Sequence, residues 1–298
     1  GGKLFVPSES DLTVIDVDDG KVLDRWDVGM PANVLVVDGQ VIVAQRDEVS
    51  SFSSWKVASE ELQRQIAARP NDPGPRIALA RIAFSSGHVE VFRDTLDSLI
   101  GLLGRRDDAA EAREALFEEL WTMVGEEGVD DALRRELYEK MALVSRGAAQ
   151  EAAYRLVYGR YLEERGRPAD AVEQFQAVLV APELREQLFR RPDGARQASL
   201  EARRGLQRIV EAEGREVYRP YDLAARRQLD SLKHDPRPEG LIELVEAYPL
   251  ADVAASALVE AGRRMADHGR MGEAISWLWR AQGVARGDEQ LAEVVGAQ

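Results

Sequence analysis

Cysteine is absent from all 298 residues. Its absence removes disulfides, thiolate zinc sites, iron–sulfur ligation and any cysteine nucleophile in one step, and leaves the redox compartment open. Histidine occurs only at His88, His234 and His268, and none has a partner at the helical spacing of a zinc-protease motif, so no metal site is expected. Lysine is confined to Lys3, Lys21, Lys56, Lys140 and Lys233, and every other basic residue is arginine, mostly interleaved with glutamate. No apolar run approaches the ~18 residues that a membrane-crossing helix needs. The loops of acyl transfer, nucleotide hydrolysis and dinucleotide binding (Gly-x-Ser-x-Gly, Gly-x-x-x-x-Gly-Lys, Gly-x-Gly-x-x-Gly) are all missing. The chain also lacks an initiating methionine and a leader pattern, opening on the strand-like Gly1-Gly2-Lys3-Leu4-Phe5-Val6, so it reads as a fragment or processed piece.

What is present is globular. Hydrophobic residues make up 45% and charged residues 31%, in interspersed order, and the formal net charge is −14. One large domain or two modest ones are expected at this length. An acidic chain repels a phosphate backbone, and no basic stripe interleaves with the aromatic residues, so no nucleic-acid partner is expected. Trp121, Tyr218, Tyr221, Trp277 and Trp279 are expected in helix packing. Adjacent carboxylates such as Glu118-Glu119, Glu126-Glu127 and Glu163-Glu164 recur so often that they mark solvated helix faces, and a hydrolase built on scattered carboxylates is the least supported class.

Two regimes divide the chain. Residues 1–55 alternate with a period of two, and strands are expected at Lys3 to Val6, Leu12 to Val17, Val22 to Trp26, Asn33 to Val37 and Gln40 to Ala44. Asp19-Gly20 and Asp38-Gly39 supply hairpin turns, and together these make an antiparallel β-meander. Asp16-Val17-Asp18-Asp19-Gly20 has part of a calcium-loop spacing, but the downstream glutamate is missing and a hairpin is the better reading. From Lys56 onward the pattern is alanine, leucine, glutamate and arginine with apolar residues at i, i+3, i+4 and i+7, and everything after it is expected to be helical. Ten to twelve short helices are separated by Gly and Pro stops, among them Ser86-Gly87, Gly166-Arg167-Pro168, Gly214 and Gly269.

The stops suggest a repeat. Gly159, Gly166, Ala171 and Phe175 stand at spacings of seven, five and four, and Gly262, Gly269, Ala274 and Leu278 repeat that spacing before Ala281. A weaker version has Ala80, Gly87 and Leu96, with Phe92 in place of the small residue, and degenerate pairs are centred on Trp121 with Gly128 and on Gln207 with Gly214. These segments resemble the tetratricopeptide (TPR) repeat. The resemblance implies a mainly α fold, a TPR-like α-α superhelix over residues 56–298, longer than the family unit where Glu183 to Gly194 and Lys233 to Gly240 are inserted. It also implies a peptide-binding concave surface rather than a catalytic pocket.

Ile15-Asp16-Val17-Asp18-Asp19-Gly20-Lys21, followed by Asp24 and Trp26, is similar to a PQQ-like β-propeller repeat, as in outer-membrane assembly lipoproteins. Residues 1–55 would then be a partial propeller blade. Further blades or a second chain are expected at its unpaired edges. The cell envelope is the compartment this resemblance suggests. No cofactor is implied, because the quinoprotein ligand constellation is missing.

Aligning the helix pairs on their turn glycines places Arg81, Arg160, Arg208 and Arg263 six residues before Gly87, Gly166, Gly214 and Gly269. In the family that register faces the concave groove, where guanidinium groups would hold an acidic peptide by bidentate hydrogen bonds. The same arginines have nearby partners in Glu163 and Glu164. The expectation is a non-enzymatic protein-interaction scaffold; the alternative is an accessory helical module of a larger propeller enzyme or sensor whose active site lies elsewhere.

Overall fold

The computed structural model describes residues 2–8, 11–27, 33–37, 40–44, 49–53, 55–106, 108–191, 194–285 and 296. Six strands come first: β1 (Lys3–Pro7), β2 (Asp11–Asp16), β3 (Val22–Asp27), β4 (Asn33–Val37), β5 (Gln40–Ala44) and β6 (Val49–Ser53). Helices follow as α1 (Trp55–Ala68), α2 (Gly74–Ser85), α3 (Val89–Gly104), α4 (Ala110–Gly125), α5 (Asp131–Val144), α6 (Gly147–Glu164), α7 (Pro168–Val180) and α8 (Pro182–Arg185). A hairpin of β7 (Leu188–Arg191) and β8 (Gly194–Gln197) leads to α9 (Ala198–Glu213) and a 3-10 turn (Arg215–Tyr218). The order ends with α10 (Arg219–Ser231), α11 (Glu239–Ala247), α12 (Ala254–Asp267) and α13 (Met271–Val284). The fold is mainly α, as the periodicity predicts. The chain divides into two compact units, Gly1–Glu119 and Leu120–Gln298.

In the first unit the strands form two separate antiparallel three-stranded sheets, β1-β2-β3 and β4-β5-β6, where the sequence suggested one meander. The Asp16–Lys21 turn is a hairpin. The Gly20 N–H donates to the Asp16 carbonyl at 2.9 Å and the Asp18 N–H to the Asp16 carboxylate at 2.8 Å. That carboxylate is spent on the turn rather than on a cation. Leu12 and Val14 on β2 are buried, and Phe5, paired with Val14, shares their face. Leu4 and Val6 alternate with Phe5 and are exposed on the other face. The expected turn at Asp38-Gly39 and the side chains of Asp24 and Trp26 lie outside the described residues. Strand β6 went unpredicted because Val49-Ser50-Ser51-Phe52-Ser53 reads as loop by composition, and pairing with β5 makes it a strand.

Helices α2 and α3 form a hairpin closed at Gly87, with Ala80, Phe92 and Leu96 all buried. In the second unit α6 and α7 close at Gly166, and α12 and α13 at Gly269. All three turns share one hydrogen-bond pattern. The glycine N–H donates three residues back (to Phe84, Glu163 and Ala266) and the next N–H donates five back (to Ala83, Leu162 and Met265). This is the Schellman closure, and it needs a residue at positive φ, here Gly166 at 67°. The pair expected around Gly214 does not close this way. Gly214 sits at φ 83° and ψ 171°, its N–H reaches only Val210, and the chain runs on through the 3-10 turn. Helix α9 packs mainly on α7 instead.

The β7–β8 hairpin corrects the expectation that everything after residue 56 is helical. Pro192-Asp193-Gly194 breaks any helix there, and Gly194 takes φ 125°. With α8 it occupies the stretch around Glu183 to Gly194 where the sequence suggested an inserted segment.

Candidate functional site

The joint between α6, α7 and α9 is built on a single ring. A Cβ at Gly159 would lie 2.9 Å from Phe175 Cε1, and one at Gly205 would lie 2.6 Å from Phe175 Cε2. Phe175 of α7 is therefore wedged between two glycines on two other helices, and only a hydrogen side chain at each lets the helices approach. Gly159 and Phe175 are the sequence-predicted pair. Gly205 was missed because it stands nine residues before its turn glycine, Gly214, rather than seven. Gly262 repeats the arrangement against Leu278 at 2.9 Å.

Side by side, α6 and α9 exchange ion pairs. Arg160 of α6 reaches Glu201 of α9 at 3.6 Å, and Arg208 of α9 donates to both oxygens of Glu163 of α6 at 3.0 and 2.7 Å. Earlier residues pair with earlier and later with later, so the two helices run parallel. The structure thus brings Arg160 and Arg208 onto one face. Arg81 lies in the other unit and is held by both oxygens of Glu119. Arg263 on α12 is exposed and has no ion-pair partner among the described residues. Bidentate pairing does occur at this register, with glutamates of the chain itself.

Glu201 is the focus of that face. Its side chain is 5% exposed, yet three guanidinium groups converge on it: Arg196 of β8 at 3.3 Å, Arg204 of α9 at 3.5 Å and Arg160 at 3.6 Å. Arg196 was not singled out in the sequence because its strand was not. A second cluster joins Arg203 of α9 and Arg280 of α13 to Glu246 of α11, and Arg185 of α8 to Glu243. Burial lowers the Arg203 pKa, partly offset by Glu246. Arg280 also lies 4.9 Å from the Trp277 ring. This second set braces four helices together.

No protein-family model and no curated protein matches the chain. A solved structure similar to it is YrrB, described as a TPR protein with an unusual peptide-binding site. It is 16% identical, over 80% of this chain and 99% of that one, with a TM-score of 0.27. The repeat reading rests on the packing above, not on that likeness.

Little else converges. Among the described residues no group of three histidine, cysteine or acidic side chains is placed to hold a metal ion, and no helix is long and apolar enough to cross a membrane. His88 stacks on Trp55 with ring centroids 4.0 Å apart, and His268 Nδ1 lies 2.6 Å from the Arg264 carbonyl. Tyr218 is fully buried, as expected, and its hydroxyl donates to Gln176 Oε1 at 2.8 Å while the Gln176 amide donates to the Ala247 carbonyl. Burial raises the Tyr218 phenol well above its usual value. Trp279 departs from expectation: it projects from α13 into solvent beside Met271 and Ile275.

Proposed function

We propose that this chain is a non-enzymatic scaffold of TPR-like helix pairs that holds an acidic protein segment along its first helices. The observation that carries this reading is the parallel pairing of α6 and α9 around Phe175. Parallel helices stacked across an intervening one leave an extended row of side chains rather than a closed pocket, which suits segment binding. Arg160, Arg208 and Arg263 of the second unit are the proposed contacts, and Arg81 is the proposed contact at the same register of the first unit, each unit taken by itself. The guanidinium groups of three of them stay about half exposed while paired with Glu119, Glu201 and Glu163, so an incoming carboxylate can reach them from the solvent side. On the same reading residues 1–55 are a partial PQQ-like blade and residues 56–298 the repeat domain.

The test is a titration of labelled acidic, neutral and basic peptides against the chain, read by fluorescence anisotropy. Saturable binding of acidic peptides alone, lost when Arg160 and Arg263 are both changed to glutamate, is the expected result. Absence of saturable binding to any peptide would sink the scaffold reading.

A further inference from the structure

Helix α13 presents an exposed face built of two rows. The large row is Met271, Ile275 and Trp279, four residues apart and 57%, 51% and 64% exposed. Beside it runs a small row of Gly272, Ser276 and Gly283. A Cβ at either glycine would meet nothing within 4 Å, and the Ser276 hydroxyl donates back to the Gly272 carbonyl at 3.0 Å. The small row is thus a shallow furrow with its side-chain polar group already satisfied. Between residues 271 and 283 this face carries no charged residue, and Glu273 and Arg280 stand at its edge. Counted from the turn glycines, Ile275, Trp279 and Gln282 match Val172, Gln176 and Leu179 of α7. Those three are buried, and Gln176 is bonded to Tyr218 and Ala247 in elements that follow. The face that later elements cover on α7 is therefore bare on α13.

We propose that this face joins two copies of the chain through an antiparallel α13–α13 contact. Its pattern is complementary to itself, as a two-fold interface requires. A two-fold axis level with the bond between residues 276 and 277 sets Trp279 at the height of Ala274 in the second copy. There it meets the gap between Gly272, Ile275 and Ser276. The same register brings Met271 beside Gly283 and sets Glu273 across from Arg280, so no like charges meet. A large side chain seated among small ones is the packing this chain already uses at Phe175, between Gly159 and Gly205. Charge selects the same place. At net charge −14 two copies repel, and the repulsion opposes contact least where neither presents a charge. An unrelated partner calls neither for a ridge that fits its own furrow nor for the symmetric placement of Glu273 and Arg280. The 14 residues of α13 make a contact about 21 Å long. One helix face of that length falls short of the ~800 Å² per partner that stable complexes bury, so the dimer is weak and concentration-dependent.

The experiment is sedimentation velocity on the whole chain from about 1 to about 300 µM. The mean mass is expected to climb from one chain toward two, with a midpoint of about 10–100 µM, and to stop there. Trp279→Glu puts a carboxylate at the centre of the contact and is expected to weaken dimerisation at least about tenfold. Trp279 is largely exposed, so the variant monomer keeps its circular dichroism. Because the chain has no cysteine, Ser276→Cys reports the register directly. Oxidised in the dimer's concentration range, it is expected to crosslink at least about tenfold faster than Arg226→Cys, at an exposed position of α10. A chain that stays monomeric throughout overturns the proposal, and that is the result if residues 287–298 or a different protein cover the face. A mass that rises past two chains, or a folded Trp279→Glu chain that dimerises with unchanged affinity, overturns it too. So does equal crosslinking at positions 276 and 226. Should Trp279→Glu fail to fold, the unmodified chain and the two cysteine variants still decide. Segment binding stands or falls separately, in the peptide titration.

Discussion

At Gly205 the usual effect of alanine in a helix should reverse sign. Replacing an interior helical glycine with alanine ordinarily adds up to about 1 kcal/mol, because the backbone has less freedom to lose. Gly101 offers that situation: a Cβ there would meet only Arg105 Nη2 at 3.9 Å. At Gly205 the new methyl would meet the Phe175 ring at 2.6 Å, and the ring cannot retreat because Gly159 backs its other edge. Overpacking should cost about 1–3 kcal/mol, so Gly205→Ala is expected to lower the urea midpoint while Gly101→Ala raises it, both at constant slope. A second residue-scale outcome concerns protonation. Hydrogen bonds from the Arg237 side chain and backbone N–H pull the Asp235 carboxyl down to about 2. The folded state therefore prefers the ionised form. The resulting stability is present above the unfolded carboxyl value near 4 and lost as pH falls toward 2. Carbon NMR titration should place the Asp235 midpoint near the lower value, and Arg237→Gln should raise it part of the way toward the upper one, because the backbone N–H at 237 still donates.

The second unit's elements are joined through shared polar groups as well as apolar packing. Gln176 of α7 takes a hydrogen bond from Tyr218 in the 3-10 turn and gives one to Ala247 at the end of α11, all of it buried. Tyr218→Phe keeps the ring but leaves Gln176 Oε1 without its donor, at a cost of about 1–3 kcal/mol. Gln176→Met orphans two partners at once. Its loss should exceed that of Tyr218→Phe, and the double variant should be less unstable than the sum. Calorimetric midpoints for the three variants test this; strict additivity would show that the groups do not act as one network. Which elements exist was largely legible from periodicity, since helix stops coincide with Gly87, Gly166 and Gly269. Elements made by pairing rather than by pattern were not legible. Strand β6 is serine-rich, and β7 and β8 are short segments flanked by breakers, so each becomes a strand only because a partner supplies its hydrogen bonds.

For the molecule as a whole, composition determined a good deal. The lack of cysteine, the scarcity of histidine and the apolar spacing were sufficient to read a mainly α chain with a β-rich start and no thiolate chemistry. Spacing also identified Gly159 with Phe175 and Gly262 with Leu278, because a helix places residues on faces by number alone. Tertiary structure decided what numbers cannot. It split the expected single meander into two sheets, set α9 against α7 instead of α10, and gave three of the four aligned arginines partners within the chain. It also gathered Arg196, remote in pattern from the helices, to the same buried carboxylate as Arg160 and Arg204. The physical reason is range. Helix faces and turns follow from neighbours a few residues apart, whereas the charge that surrounds a side chain depends on which distant segments pack beside it.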